Sequence, residues 1–122
     1  MTFVTADSCR PQLERLTRLL VSMFPGSTIY QHTDLLHVTH DVLNHRVDAV
    51  LLEVKPENTS SLDLMRNLHK QKPGLPVFIV SETDSFHEEA VAAGAKGYFV
   101  LPESEKCLLE AIRLVINKER VS

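Results

Sequence analysis

Glycine is scarce in this 122-residue chain, with four residues in all. No Gly-rich phosphate-cradling loop is present, so a nucleotide-binding role has little support. The two cysteines, Cys9 and Cys107, lie far apart, match no metal-ligand spacing and read as reduced thiols. No apolar run approaches the roughly 20 residues that cross a bilayer. The start, Met1 to Asp7, has neither the basic residues nor the long apolar run of a secretory signal. Runs of basic residues are missing too, and Lys118-Glu119-Arg120 is a mixed-charge helix end that reads as solvated. With a net charge of −3 and a pI near 6.0, nothing draws the chain to nucleic acid or to an anionic membrane. These absences predict a cytoplasmic protein.

What is present is a chain 43% hydrophobic, enough for one domain, residues 1–122, around a single core. Five β-like runs alternate with helical patterns. Thr2 to Ala6 reads as the first strand. Leu13, Leu16, Leu20 and Phe24 recur at helical spacing from Arg10 to Phe24, and Pro25-Gly26 ends that helix. Ser27 to Gln31 reads as a strand, and Asp34 to His45 as a helix with Leu35, Val38, Val42 and Leu43 inward. Val47 to Val54 holds Ala49-Val50-Leu51-Leu52, apolar at every position, as suits a strand covered on both faces. A polar loop, Lys55 to Ser60, leads to a helix from Ser61 to Lys72 with Leu64, Met65 and Leu68 inward. Pro76 to Val80 is another buried strand. Asp84 to Ala93 is a short helix with Gly94 as its C′ residue. Gly97 to Val100 is the last strand, and Glu103 to Arg120 the last helix, with Leu108, Leu109, Ile112, Val115 and Ile116 inward. The order βαβαβαβαβα predicts right-handed crossovers and a doubly wound parallel sheet. Ligand chemistry in such a sheet gathers at the carboxyl ends of the strands, here Ala6-Asp7, Glu53, Ser81 and Leu101-Pro102.

The whole chain resembles the receiver domain of two-component response regulators, a chemotaxis-regulator-like fold with strand order 2-1-3-4-5. The most specific match is Gly94-Ala95-Lys96-Gly97-Tyr98-Phe99-Val100-Leu101-Pro102, which resembles the family's Gly-Ala-x-Gly-Tyr run into strand five and the Lys-Pro pair after it. Val47 to Glu53 looks like the strand that delivers the phosphoacceptor Asp, and Pro76 to Ser81 like the one that delivers the switch Ser/Thr. The resemblance implies a site of two acids that hold Mg²⁺, an Asp nucleophile, a Ser/Thr and a Lys, the cations offsetting the charge of a phosphoryl group among carboxylates.

That set is depleted here. Ala6 stands at the first acidic position and leaves Asp7 as the metal-binding remnant. Glu53 stands at the acceptor position, Ser81 and Tyr98 at the switch positions, and Leu101 at the Lys position. Pro56 comes three residues after Glu53 instead of four, and Glu57-Asn58-Thr59-Ser60-Ser61 replaces the family's Asp/Asn-Gly. A carboxylate one methylene longer is displaced by about 1.5 Å, enough to spoil attack geometry. Leu101 is expected to place an apolar side chain in the pocket. The implied molecule is a pseudo-receiver with no cofactor and Mg²⁺ weak or absent, not an enzyme, acting by protein contact. Two readings of Glu53 stand: a permanent mimic of the phosphorylated acceptor, bonded by Ser81, or a solvated remnant of a lost site. The alternative function is a genuine phosphoacceptor receiver, the N-terminal part of a DNA-binding regulator. Lys118 to Ser122 reads as a boundary before a linker, leaving room for an output domain.

The resemblance implies a partner or self-association face made of Phe86–Ala93, Gly97–Val100 and Glu103–Ile116, aromatics ringed by mixed charge. His32, His37, His40 and His45 cluster in sequence. His37 and His40 share a helix face suited to a metal, but the expected reading is a solvated face. Ser8, Ser81 and the histidines form no hydrolase triad, for want of a nucleophile elbow and an oxyanion glycine.

Overall fold

The computed structural model describes the backbone of residues 1–121 and the side chains of residues 1–118. Of the segment Lys118 to Ser122, read above as a linker boundary, Ser122 and the side chains from Glu119 onward lie outside the described residues. The elements are β1 (Thr2–Ala6), α1 (Arg10–Met23), β2 (Thr28–His32), α2 (Val38–Asn44), β3 (Ala49–Glu53), α3 (Ser60–Gln71), β4 (Val77–Ser81), α4 (His87–Ala92), β5 (Gly97–Val100) and α5 (Glu105–Val121). All five strands run parallel in the order β2-β1-β3-β4-β5, the flavodoxin-like arrangement that the alternating pattern predicts.

The sheet divides the core. Val4, Ala6, Val50, Leu52, Val54 and Ile79 face a layer that includes Val38 and Val42 of α2, Met65 and Leu68 of α3, and Ala90 of α4. Phe3, Ala49, Leu51, Phe78 and Val80 face the opposite layer, with Leu16 and Leu20 of α1 and Leu108, Ile112 and Ile116 of α5. Strand residues alternate between the layers because successive side chains leave opposite faces of a pleated strand. Each fully buried Leu or Ile of these clusters contributes about 1.5–3 kcal/mol by leaving water. Arg15 of α1 grips Glu105 of α5 through two bonds of 2.7 and 3.0 Å and fastens the second layer at its rim.

Glycine has conformational work at two turns. Gly94 (φ 103°) ends α4, where Ala95 N–H bonds Ala90 O at 3.0 Å, as a left-handed C′ residue permits. Gly26 (φ 82°) turns the chain after α1.

Three helices start later than their patterns predict. α2 starts at Val38, not Asp34, because the Asp34 carboxylate accepts the Leu36 N–H at 2.9 Å and folds the preceding residues into a turn. Leu43, expected inward, is 52% exposed, since the shortened helix rests on Val38 and Val42. α4 starts at His87, not Asp84, because Thr83 to Phe86 is tied into a loop. α5 starts at Glu105, not Glu103, after a turn from Leu101 to Ser104 that contains a cis Leu101–Pro102 peptide.

Candidate functional site

The carboxyl ends of β1 and β3 open into a cleft of about 420 Å³ lined by Asp7, Ser8, Asp34, Glu53, Lys55 and Glu57, among others. Its centre is Glu53. Ser8 donates both its backbone N–H (3.1 Å) and its hydroxyl (2.9 Å) to Glu53 Oε1. Lys55 Nζ lies 3.7 Å from Oε2. The strand period puts Glu53 and Lys55 on the same side of the chain, and the tight turn that follows fixes Lys55 there. In that turn Lys55 and Asn58 exchange backbone bonds of 3.3 and 3.0 Å around Pro56-Glu57. Proline presets the backbone angle of the second turn residue.

Asp7 is buried beside this group, 3% exposed. Its Oδ1 accepts the Cys9 N–H at 2.8 Å, and its Oδ2 accepts from Gln12 Nε2. Burial, then the neighbouring Glu53 carboxyl, pushes the Asp7 carboxyl up to about 7, against the pull of the Cys9 and Gln12 donors. The Glu53 charge adds to the rise by disfavouring a second negative charge beside it.

Mg²⁺ belongs to the chemistry implied by the resemblance, and the donor set does not suit it. Ala6 offers no ligand. The Asp7 oxygens are turned to Cys9 and Gln12, and the Glu53 oxygens to Ser8 and Lys55. Among the described residues no group of three His, Cys, Asp or Glu is placed to hold a metal ion. An ion that demands near-octahedral oxygen ligation finds two carboxylates already occupied by protein donors.

The switch positions form a separate assembly. Ser81 is buried, donates to Val54 O at 3.0 Å and accepts the Thr83 N–H at 3.3 Å. Tyr98 is half-buried against the α4-side core, donates its hydroxyl to Thr83 O and accepts the Phe86 N–H at 3.4 Å. The bond from Ser81 that a phosphate-mimicking Glu53 requires is therefore not made: Glu53 is bonded by Ser8, and Ser81 by Val54. Glu53 is not a free solvated remnant either, because its side chain is only 9% exposed.

Leu101 corrects an expectation. It is 6% exposed and belongs to the α1/α5 core with Leu16, Leu108 and Ile112, not to the lining of the acidic cleft. An apolar residue at this place is drawn into the core beneath it.

Sequence reasoning missed Ser8, Gln12 and Lys55. Two signals were available: Ser8 adjoins the retained acid, and Lys55 follows Glu53 by one strand period. Missed too was the buried Asp41 of α2, which pairs with His32 Nε2. The other histidines do not converge: His45 stacks on Tyr30 at 4.5 Å and His40 contacts Asn44. On the α4–β5–α5 face, Phe86, Tyr98 and Phe99 are half-buried, and the exposed apolar side chains are Val91 (58%) and Leu114 (61%).

No family model matches the chain. It is 27% identical over 122 residues to the response regulator MprA of Mycobacterium leprae, covering 98% of this chain and 53% of that protein. It is 27% identical over 106 residues to the nitrate/nitrite response regulator NarP of Escherichia coli, covering 84% of this chain and 49% of that protein. The chain thus spans about half the length of the curated relatives it matches. Among solved structures, the signal receiver domain of an HD domain-containing protein from Pseudomonas fluorescens superposes with a TM-score of 0.83 at 22% identity, covering 99% of this chain and 98% of that one. The fold is that of a response-regulator receiver. Among the described residues no helix is long and apolar enough to cross a membrane.

Proposed function

We propose that this chain is a two-component-type receiver module that regulates by protein contact, without an aspartyl phosphorylation cycle. The observation that carries this reading is the Ser8–Glu53 pair. A carboxylate that attacks phosphorus must be free, aligned and flanked by cations that offset the phosphoryl charge. Glu53 instead spends one oxygen on two donors from Ser8 and directs the other toward Lys55. The buried Asp7 adds repulsion to any incoming anion whenever it is ionised. On this reading Glu53 is a strut between the β1 and β3 ends that holds one arrangement of the site, and the α4–β5–α5 face, with Val91 and Leu114 exposed, receives the partner protein.

Incubation with a small phosphodonor and Mg²⁺ tests the proposal. Mass spectrometry and phosphate-affinity electrophoresis are expected to find no base-labile adduct. Stoichiometric, Mg²⁺-dependent labelling that disappears in Glu53→Gln would overturn it. The second reading, a genuine phosphoacceptor attached to an output domain, draws on the similarity to response regulators about twice as long as this chain. The same assay decides between them.

A further inference from the structure

β2 is the outermost strand of the sheet, so one of its edges faces no other strand. The ladder to β1 shows which groups that edge presents. Thr28 N–H bonds Met1 O at 2.9 Å, and His32 O accepts the Asp7 N–H at 3.0 Å, so the even-numbered residues of β2 turn their peptide groups inward. By the alternation of a parallel ladder, Ile29 and Gln31 turn their N–H and C=O groups outward. Edge strands of monomers are usually blunted by charged residues, proline or a bulge. The stretch from Ser27 to Thr33 contains no Asp, Glu, Lys, Arg or Pro, and its ladder to β1 is unbroken from Thr28 to His32.

We infer that this edge pairs with β2 of a second copy of the chain, antiparallel, about a two-fold axis at Tyr30. In that register Ile29 lies opposite the Gln31 of the second copy and Gln31 opposite its Ile29. Both are hydrogen-bonded pairs of the antiparallel type, and together they join the outward N–H and C=O groups of both copies. The two Tyr30 residues face one another across the axis, on the sheet face where each stacks on its own His45 at 4.5 Å. Cross-strand aromatic pairs favour such a junction. Because the pairing segment is uncharged, the symmetry brings no like charges together. The contact is isologous and closes at two copies, joining the sheets into one of ten strands. This inference is independent of whether Glu53 can be phosphorylated.

The test is sedimentation of the 122-residue chain over a concentration series, with amide exchange read at Ile29 and Gln31. A reversible dimer is expected, with exchange at those two amides slowed about tenfold or more as the dimer fills. Gln31→Pro removes an outward donor from each copy and is expected to weaken dimerisation about thirtyfold. Gln31→Lys, which alters no backbone group, is expected to weaken it in the same direction, so distortion of the strand by proline does not decide the matter. Val91→Lys, on the α4–β5–α5 face, is expected to leave the dimer intact. A chain that stays monomeric throughout the series, or a dimer lost in Val91→Lys and kept in both Gln31 variants, would overturn the inference.

Discussion

Ser81 and Tyr98 hold one residue between them: Thr83 donates its N–H to the Ser81 hydroxyl, and its carbonyl accepts from the Tyr98 hydroxyl. Ser81 also donates to Val54 O, next to Glu53, so a continuous set of bonds runs from the end of β3 to β5. Tyr98→Phe deletes one member and is expected to cost about 1 kcal/mol. Ser81→Ala leaves the buried Val54 carbonyl without its hydroxyl donor and is expected to cost about 1–3 kcal/mol. If Thr83 couples them, the double variant loses less than the two single losses combined, by about 0.5 kcal/mol or more in a urea-unfolding cycle.

Shortening Glu53 tests the strut directly. Glu53→Asp draws the carboxylate back from Ser8 and Lys55, and the loss of both Ser8 bonds is expected to cost about 1–2 kcal/mol in urea unfolding. It is not expected to create a phosphoacceptor, because Ala6 still supplies no ligand and Leu101 no cation. Labelling of this single variant by a small phosphodonor would show that the acid pair and the lysine matter less than their charges imply.

Leu101→Lys places an amine at a position that belongs to the core and not to the lining of the acidic cleft. The side chain sits in the α1/α5 core, 6% exposed, so a lysine there must bury its amine or pull away. A loss of about 2–4 kcal/mol in unfolding free energy is expected, with no gain in labelling. A variant of wild-type stability would show that the Leu101 site opens readily to solvent.

The fold was legible because its signals are redundant. Ala49-Val50-Leu51-Leu52 suits a strand covered on both faces, and Leu13, Leu16 and Leu20 mark one helix face, so burial of both agrees with local pattern. The starts of α2 and α4 were not legible, since Asp34 and Tyr98 compete for backbone groups at a level periodicity does not register. That Ala6, Asp7, Glu53 and Ser81 come at or next to the carboxyl ends of strands was legible. Their partners were not, because Ser8 and Glu53 are 45 residues apart and only the strand ends bring them together. The direction of Leu101 was misjudged for the same reason, as the core beneath it is assembled from α1 and α5.

Asp7 gives the chain a stability that falls as pH rises. In the folded state its carboxyl is raised from the usual 3.8 to about 7, first by burial and then by the neighbouring Glu53 carboxyl, so folding favours the protonated form. The group's contribution is therefore complete below pH 3.8, is lost progressively as pH climbs toward 7, and is flat above that. At about 1.4 kcal/mol per pH unit, the span from 3.8 to about 7 sets a ceiling of about 4 kcal/mol. Asp7→Asn removes the ionisation while keeping an oxygen for the Cys9 N–H, and Gln12 meets the new amide by rotating its own. In EDTA, this variant is expected to be more stable than the parent at pH 8 by about 2 kcal/mol, with the gap shrinking to less than half of that at pH 5. Parallel urea-unfolding profiles for the two proteins from pH 5 to 8 would show that Asp7 is ionised throughout and that folding does not raise its carboxyl.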